Sequence, residues 1–307
     1  MPNQAKNLDC LVIGAGPAGL TAALYLARFH LIVEIVDAGK SRASLIPLTR
    51  NHAGYPGGIC GKELLRLMSQ QAAEFGVTVR PGLVETIERD GDLFVARIGD
   101  KMVRTHSVLL ATGVLNNPPD VTPEVHDEAL ARGLLRYCPI CDGYEVTDKR
   151  IGIIGSRTHG HNEALFLRMY SRDVTLIAPD GGHALSRKEK ARLVKAGIIV
   201  QDGPCGSLKI DGDSIIVPLK GDILRFDTLY PALGSVIRSE LAVMLGAQTT
   251  DDGCIIVDTH QRTSVAGLYA AGDVVRGLDQ ISHAMGEASV AASTIRNDLS
   301  GKRLLLR

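Results

Sequence analysis

Leu11-Val12-Ile13-Gly14-Ala15-Gly16-Pro17-Ala18-Gly19-Leu20 decides the fold class. A short β-type run enters a glycine-rich turn. Apolar residues then recur at helical spacing to Arg28, and Ile32-Val33-Glu34-Ile35-Val36 reads as a second strand closed by Asp37. The pattern Gly-x-Gly-x-x-Gly, with a strand before it, a helix after it and an acid about twenty residues on, is that of a dinucleotide-binding βαβ unit. Gly14 permits the tight turn, Gly16 has no Cβ to hold off a pyrophosphate, and Gly19, next to Ala18, lets helix and strand pack closely. The helix N-terminus attracts the anion, and Asp37 is placed to accept from a ribose hydroxyl.

The same grammar returns about 140 residues later, which is domain spacing. Ile151-Gly152-Ile153-Ile154 reads as a strand, Gly155 to Gly160 as a turn, Glu163 to Tyr170 as a helix and Val174-Thr175-Leu176-Ile177 as the next strand. Between the two units, Val108 to Gly113 is a strand entering a turn, and Asn116-Asn117-Pro118-Pro119 has hinge composition. Gly267 to Asp273 is a further strand ending in glycine and aspartate, followed by a small-residue helix from Ser282 to Leu299. No third nucleotide unit begins there, so this tail is expected to complete the first domain. The predicted class is α/β, with two Rossmann-like (three-layer ββα) nucleotide-binding domains, the first discontinuous: 1–118 and 246–307 form one, and 119–245 the other.

Composition narrows the function. With 34 basic and 34 acidic side chains in 307 residues the formal net charge is zero, so no long field of one sign exists to track nucleic acid or an anionic membrane. Hydrophobic residues at 45% support a folded chain throughout. The stretch from Leu20 to Val36 is broken by Arg28, His30 and Glu34, and nothing approaches a membrane span. Residues 1–13 lack a signal-peptide pattern, and a soluble cytoplasmic protein is expected.

Of six cysteines (Cys10, Cys60, Cys138, Cys141, Cys205, Cys254) only Cys138-Pro139-Ile140-Cys141 forms a close pair, and Asp142 follows it directly. Such spacing brings two sulfurs within disulfide reach and suits dithiol–disulfide exchange. No second pair exists to complete a four-ligand zinc site, so no metal is expected. Asp142 reads equally as a helix cap.

Ala111-Thr112-Gly113 and Ala271-Gly272-Asp273 resemble the second and third fingerprints of FAD-binding disulfide reductases. The order of motifs over nearly the whole chain resembles the low-molecular-weight thioredoxin reductases. That resemblance implies FAD in the first domain, held by the Gly14 to Gly19 turn, Asp37, Thr112, Gly113, Gly272 and Asp273. It places Gln280 and Ile281 at the pyrimidine edge of the flavin and Asn51 in a flavin-contacting loop. It also implies that Cys141 faces the flavin, Cys138 exchanges with a thioredoxin-like disulfide, Asp142 protonates the departing thiolate, and the protein is a homodimer.

One part departs from the family pattern. The second turn reads Gly155-Ser156-Arg157-Thr158-His159-Gly160, with Arg157 where the second glycine belongs. Ala178-Pro179-Asp180 stands where a histidine and two arginines grip the NADPH 2′-phosphate. Three readings follow: a degenerate site with electrons from a protein donor such as ferredoxin; a second FAD, its phosphates paired by Arg157, His159, His161 and Arg187; or NADH in an altered pose. A solvated basic surface is the plain alternative. In each case the chain is expected to be an FAD-dependent dithiol–disulfide oxidoreductase without ordinary NADPH binding. The competing readings are a dithiol oxidase using oxygen and a flavin-bound redox sensor.

Overall fold

The computed structural model describes residues 7–306. The chain forms two compact units. The first comprises residues up to Leu45, Ile59–Leu115 and the segment from Ile237; the second comprises Ile46–Gly58 and Asn116–Val236.

The first unit begins with β1 (Cys10–Ile13), α1 (Pro17–Arg28) and β2 (Val33–Asp37), followed by α2 (Gly61–Ala73) and β3 (Val79–Pro81). A meander of β4 (Thr86–Asp90), β5 (Leu93–Ile98) and β6 (Lys101–Thr105) precedes β7 (Val108–Leu110), and the chain leaves along β8 (Val114–Asn116). α1 starts at Pro17, where a missing N–H costs nothing. Gly19 therefore lies inside the helix rather than in the turn, and a Cβ on it would sit 1.8 Å from the Gly14 carbonyl oxygen.

The second unit contains α3 (Pro123–Ala131), the four-residue α4 (Pro139–Asp142), β9 (Ile151–Gly155), α5 (Arg157–Leu167), β10 (Val174–Ile177), α6 (Arg187–Lys195) and β11 (Ile199–Gln201). After these come β12 (Lys209–Asp211), β13 (Ser214–Leu219), β14 (Asp222–Phe226) and β15 (Thr228–Ala232), and the chain returns along β16 (Ser235–Ile237). The helix expected from Glu163 already begins at Arg157. Gly160 belongs to it because close packing against Gly155, 2.8 Å from a Cβ placed on Gly160, needs a glycine within the first turns.

The first unit is completed by α7 (Glu240–Met244), β17 (Leu268–Ala270) and α8 (Ile281–Lys302). Its parallel sheet has the order β17-β7-β1-β2-β3, with Val12 opposite both Ile35 and Leu109. Leu20, Ala22, Ala23 and Leu26 of α1 share one core with Ala284, Ala288, Ala291, Ala292 and Ile295 of α8. Leu241 and Ala242 bury in the companion core of this unit, which the chain re-enters at Ile237. The second unit's parallel sheet has the order β11-β10-β9-β15, beside an antiparallel β12-β13-β14 sheet. Both units thus have the Rossmann-like α/β architecture, and among the described residues no helix is long and apolar enough to cross a membrane.

Candidate active site

In the first unit the β1–α1 turn is closed where the fold needs it and open where a ligand would lie. A Cβ on Gly14 (φ +106°) would meet the Ala111 carbonyl oxygen at 2.3 Å, whereas on Gly16 the nearest atom would be Ser41 Oγ at 3.3 Å. No side chain caps α1 and no acid lies in its first turn, so the positive end of the helix is left for an anion. Asp37 accepts from the Ala15 N–H at 2.9 Å and the Gly39 N–H at 2.8 Å. Its carboxylate therefore braces the turn as well, with lone pairs to spare for a hydroxyl.

Gly113 takes a left-handed φ of +65°, and the Thr112 hydroxyl donates to the Arg238 carbonyl at 2.6 Å. Gly272 (φ +83°) packs against Ala18, and its N–H donates to Glu287 of α8 at 2.7 Å. His283 lies 3.1 Å from the other oxygen of Glu287. Asp273 is held by Arg42 at 3.1 Å, which also pairs with Asp279 at 2.8 Å. Burial pushes the Asp273 carboxyl above its ordinary range, with Asp279 adding to the effect and Arg42 opposing it. Gln280 caps α8 and Ile281 is its first residue. Gly14, Gly16, Ala18, Gly19, Asp37, Thr112, Gly113, Gly272, Asp273, Gln280 and Ile281 all lie in the first unit. Sequence reasoning missed Arg42, which reaches Asp273 from a distant segment, and Glu287 of α8, which turns back to the Gly272 N–H with His283 beside it.

Asn51 lies in the second unit. Its Oδ1 accepts from Thr49 at 2.9 Å, and its amide donates to the Ile140 carbonyl at 3.4 Å, beside the cysteine pair. Cys138 and Cys141 are joined by a disulfide. Cys138 is the N-cap of α4, and its sulfur accepts from the Cys141 N–H at 3.2 Å. Asp142 is bonded by Arg136 at 2.9 Å and by the Tyr230 hydroxyl of β15 at 2.7 Å. Burial still holds its carboxyl above the ordinary range against both donors.

At the second βαβ turn, Arg157 has φ +55°, the left-handed region that L residues adopt at a cost of about 1 kcal/mol or more. Gly155 ends β9, and Ser156 accepts from the Ala184 N–H at 3.2 Å. His159 lies 3.8 Å from Glu163, and His161 is turned inward against Asn162. Arg187 opens α6, while Asp180 is exposed past the end of β10.

The sequence profile described as Pyridine nucleotide-disulphide oxidoreductase matches residues 8–288. The chain belongs to that family. It is 28% identical to a thioredoxin reductase of Aquifex aeolicus, over all of this chain and 98% of the relative. Its fold is similar to that of the Streptococcus pyogenes thioredoxin reductase (TM-score 0.87, 27% identity, 96% of this chain and 98% of that one). It is similar as well to HlmI (TM-score 0.87, 29% identity, 98% and 95%). The protein is a flavoprotein disulfide oxidoreductase of the thioredoxin reductase kind, with a Cys138–Cys141 disulfide, and FAD is the cofactor expected for the family.

Glu163 was also missed as a site residue, although an acid leading the apolar run Ala164 to Leu167 was a visible signal. Burial, with Asp142 nearby, pushes its carboxyl up to about 7. Because the folded value lies above that of the unfolded chain, stability is fully present below about pH 4 and is lost as pH rises through about 7. Glu163→Gln should therefore match the wild type near pH 4 and exceed it by about 3 kcal/mol above pH 7. Denaturant unfolding of both proteins across that range measures the difference; a gap that does not change with pH would contradict it.

Proposed function

We propose that the chain transfers electron pairs between FAD and a thioredoxin-like disulfide through Cys138 and Cys141, with a donor other than NADPH. The observation that carries the redox half is the disulfide itself, seated beside a half-buried Asp142 that two donors orient. FAD supplies the two-electron chemistry that side chains lack. The residues fit it: Gly14 and Gly16 would leave room for the pyrophosphate at the start of α1, Ala18 and Gly19 would keep that helix packed close behind them, Asp37 would accept from the ribose, and Thr112, Gly113, Gly272, Asp273, Gln280 and Ile281 would line the remainder.

In the reduced pair the Cys141 N–H stabilises a Cys138 thiolate, which attacks one sulfur of the substrate disulfide. The substrate's second sulfur leaves and takes a proton from Asp142. Cys141 then attacks Cys138 in the mixed disulfide, releasing the substrate dithiol and closing the pair. Two electrons pass from pair to substrate, and the reverse sequence oxidises a dithiol.

The donor half of the reading rests on Arg157 and on Ala178-Pro179-Asp180, where Asp180 opposes a 2′-phosphate. A protein donor such as ferredoxin is the class we favour. A second flavin at this unit would find fewer partners than the sequence offers, since His161 is turned inward and His159 lies beside Glu163. A homodimer belongs to the same reading on the family resemblance alone.

The test is cofactor extraction followed by turnover. Purified protein should be yellow, with one FAD per chain, and should reduce a thioredoxin disulfide with photoreduced ferredoxin. A folded, colourless preparation that takes up no flavin would sink the FAD assignment. Oxygen uptake driven by a dithiol alone would mark an oxidase instead.

A further inference from the structure

The side chains gathered at the first unit's turns are mostly acids. Asp37 accepts from the Ala15 and Gly39 N–H groups, Glu287 accepts from the Gly272 N–H with His283 beside it, and Asp273 and Asp279 share Arg42. The Gly14 to Gly19 turn and the segments Ala111 to Gly113 and Ala271 to Asp273 supply no cation. A pyrophosphate would bring two further negative charges to this place, and the N-terminus of α1 offsets only about half a charge.

Arg42 stands where the missing charge is needed. It opens a single 3₁₀ turn, Arg42–Leu45, soon after β2. Ser41, just before it, sets its Oγ 3.3 Å from where a Cβ on Gly16 would lie, so the chain entering this turn runs beside the glycine that leaves room for the pyrophosphate. From another segment Asp273 lies 3.1 Å from Nη1, and Asp279 lies 2.8 Å from the same nitrogen. Two carboxylates therefore fix the guanidinium through one of its three nitrogens. Nε and Nη2 make no hydrogen bond among the described residues, although the side chain is only 24% exposed. These two nitrogens form one edge of the fork, the edge through which Arg262 takes Asp298 with two bonds. Such an edge matches a phosphate as well as a carboxylate.

We propose that Arg42 is a binding residue for the FAD pyrophosphate, offering its Nε–Nη2 edge to the phosphate oxygens while Asp273 and Asp279 hold the guanidinium in place. This rests on FAD occupying the first unit. Asp273 thereby gains a second task, since the carboxylate that the family resemblance assigns to the ribityl chain also anchors the phosphate-binding cation.

The test is FAD binding by the deflavinated full chain, followed by the quenching of flavin fluorescence. Arg42→Ala should weaken binding about tenfold to hundredfold, the loss of a charge-assisted contact. Arg42→Lys keeps the charge without the fork and should recover part of the loss. Lys40→Ala removes an equal charge from an exposed position two residues away and should bind FAD as the wild type does. Displacement of FAD by adenosine diphosphate and by adenosine then locates the contact. In Arg42→Ala the dissociation constant for adenosine diphosphate should rise by about the same factor as that for FAD, and the constant for adenosine should not change. Should Arg42→Ala not fold, the same comparison on Arg42→Lys decides, with a loss expected for adenosine diphosphate alone.

Wild-type FAD affinity in Arg42→Ala would overturn the assignment of Arg42 and leave the FAD reading standing. An equal loss in Lys40→Ala would overturn it too, because the effect would then be one of net charge. Adenosine binding lost as much as that of adenosine diphosphate, or neither of them lost, would make the effect one of loop structure, against the proposal. A wild-type chain that takes up no FAD would overturn the FAD reading and the assignment together.

Discussion

Micromolar NADPH added without oxygen is expected to leave the flavin of this protein oxidised over the time in which a thioredoxin reductase would bleach. The 2′-phosphate of NADPH is ordinarily held by charge-assisted hydrogen bonds, each contributing about 1.5–3 kcal/mol. Ala178 is buried with its carbonyl turned to Cys205, Pro179 has no N–H, and Asp180 has the sign of the phosphate. Losing two such contacts weakens binding by roughly two to four orders of magnitude. Arg157 is expected to add to this, because it stands in the sequence where the motif's second glycine would let a pyrophosphate approach. Stopped-flow absorbance of the flavin against NADPH concentration checks the result, and rapid bleaching at micromolar NADPH would return the chain to ordinary NADPH use.

Replacing either cysteine of the pair should lower disulfide turnover by about a thousandfold or more, since the nucleophile and its partner act as one unit. The two variants are expected to differ in colour. With Cys138→Ser the remaining Cys141 thiolate should still perturb the flavin spectrum, whereas Cys141→Ser should lose that long-wavelength absorbance. The asymmetry rests on the family resemblance, which turns Cys141 to the flavin, and α4 supports the other half of it: Cys138 is the cap whose sulfur the Cys141 N–H supports, the arrangement of an attacking thiolate. Spectra of the two reduced variants side by side decide it, and identical behaviour would count against the assignment.

The elements legible in the sequence are those whose chemistry is local. β1, α1 and β2 are written in one run of residues, because turn glycines, helix start and closing aspartate lie at fixed short spacings. The cysteine pair is equally local. The resemblance puts Asn51 in a flavin-contacting loop, and the structure also sets its segment beside Ile140, a pairing no spacing reveals. Arg42 and Tyr230 share this character. Each reaches its carboxylate or backbone partner through the fold, and a lone arginine or tyrosine in a strand or loop carries no mark of it. The early start of α5 was hidden for a different reason. Its first turn contains Gly160, and glycine reads as turn until close packing against Gly155 explains its presence in a helix.

The interrupted connectivity of the first unit also governs how the protein is made. α1 buries its apolar face against α8, and the two are separated by the whole second unit. At translation rates of roughly 5–20 residues per second, the interval between the emergence of Leu26 and that of Ala284 is tens of seconds. During that time the second unit, contiguous from Asn116 to Val236 apart from the Ile46–Gly58 segment already emerged, has all its residues available, while the face of α1 stays uncovered. Closure of the flavin cradle is therefore expected only after α8 has emerged to complete the core around the alanine- and leucine-rich face of α1.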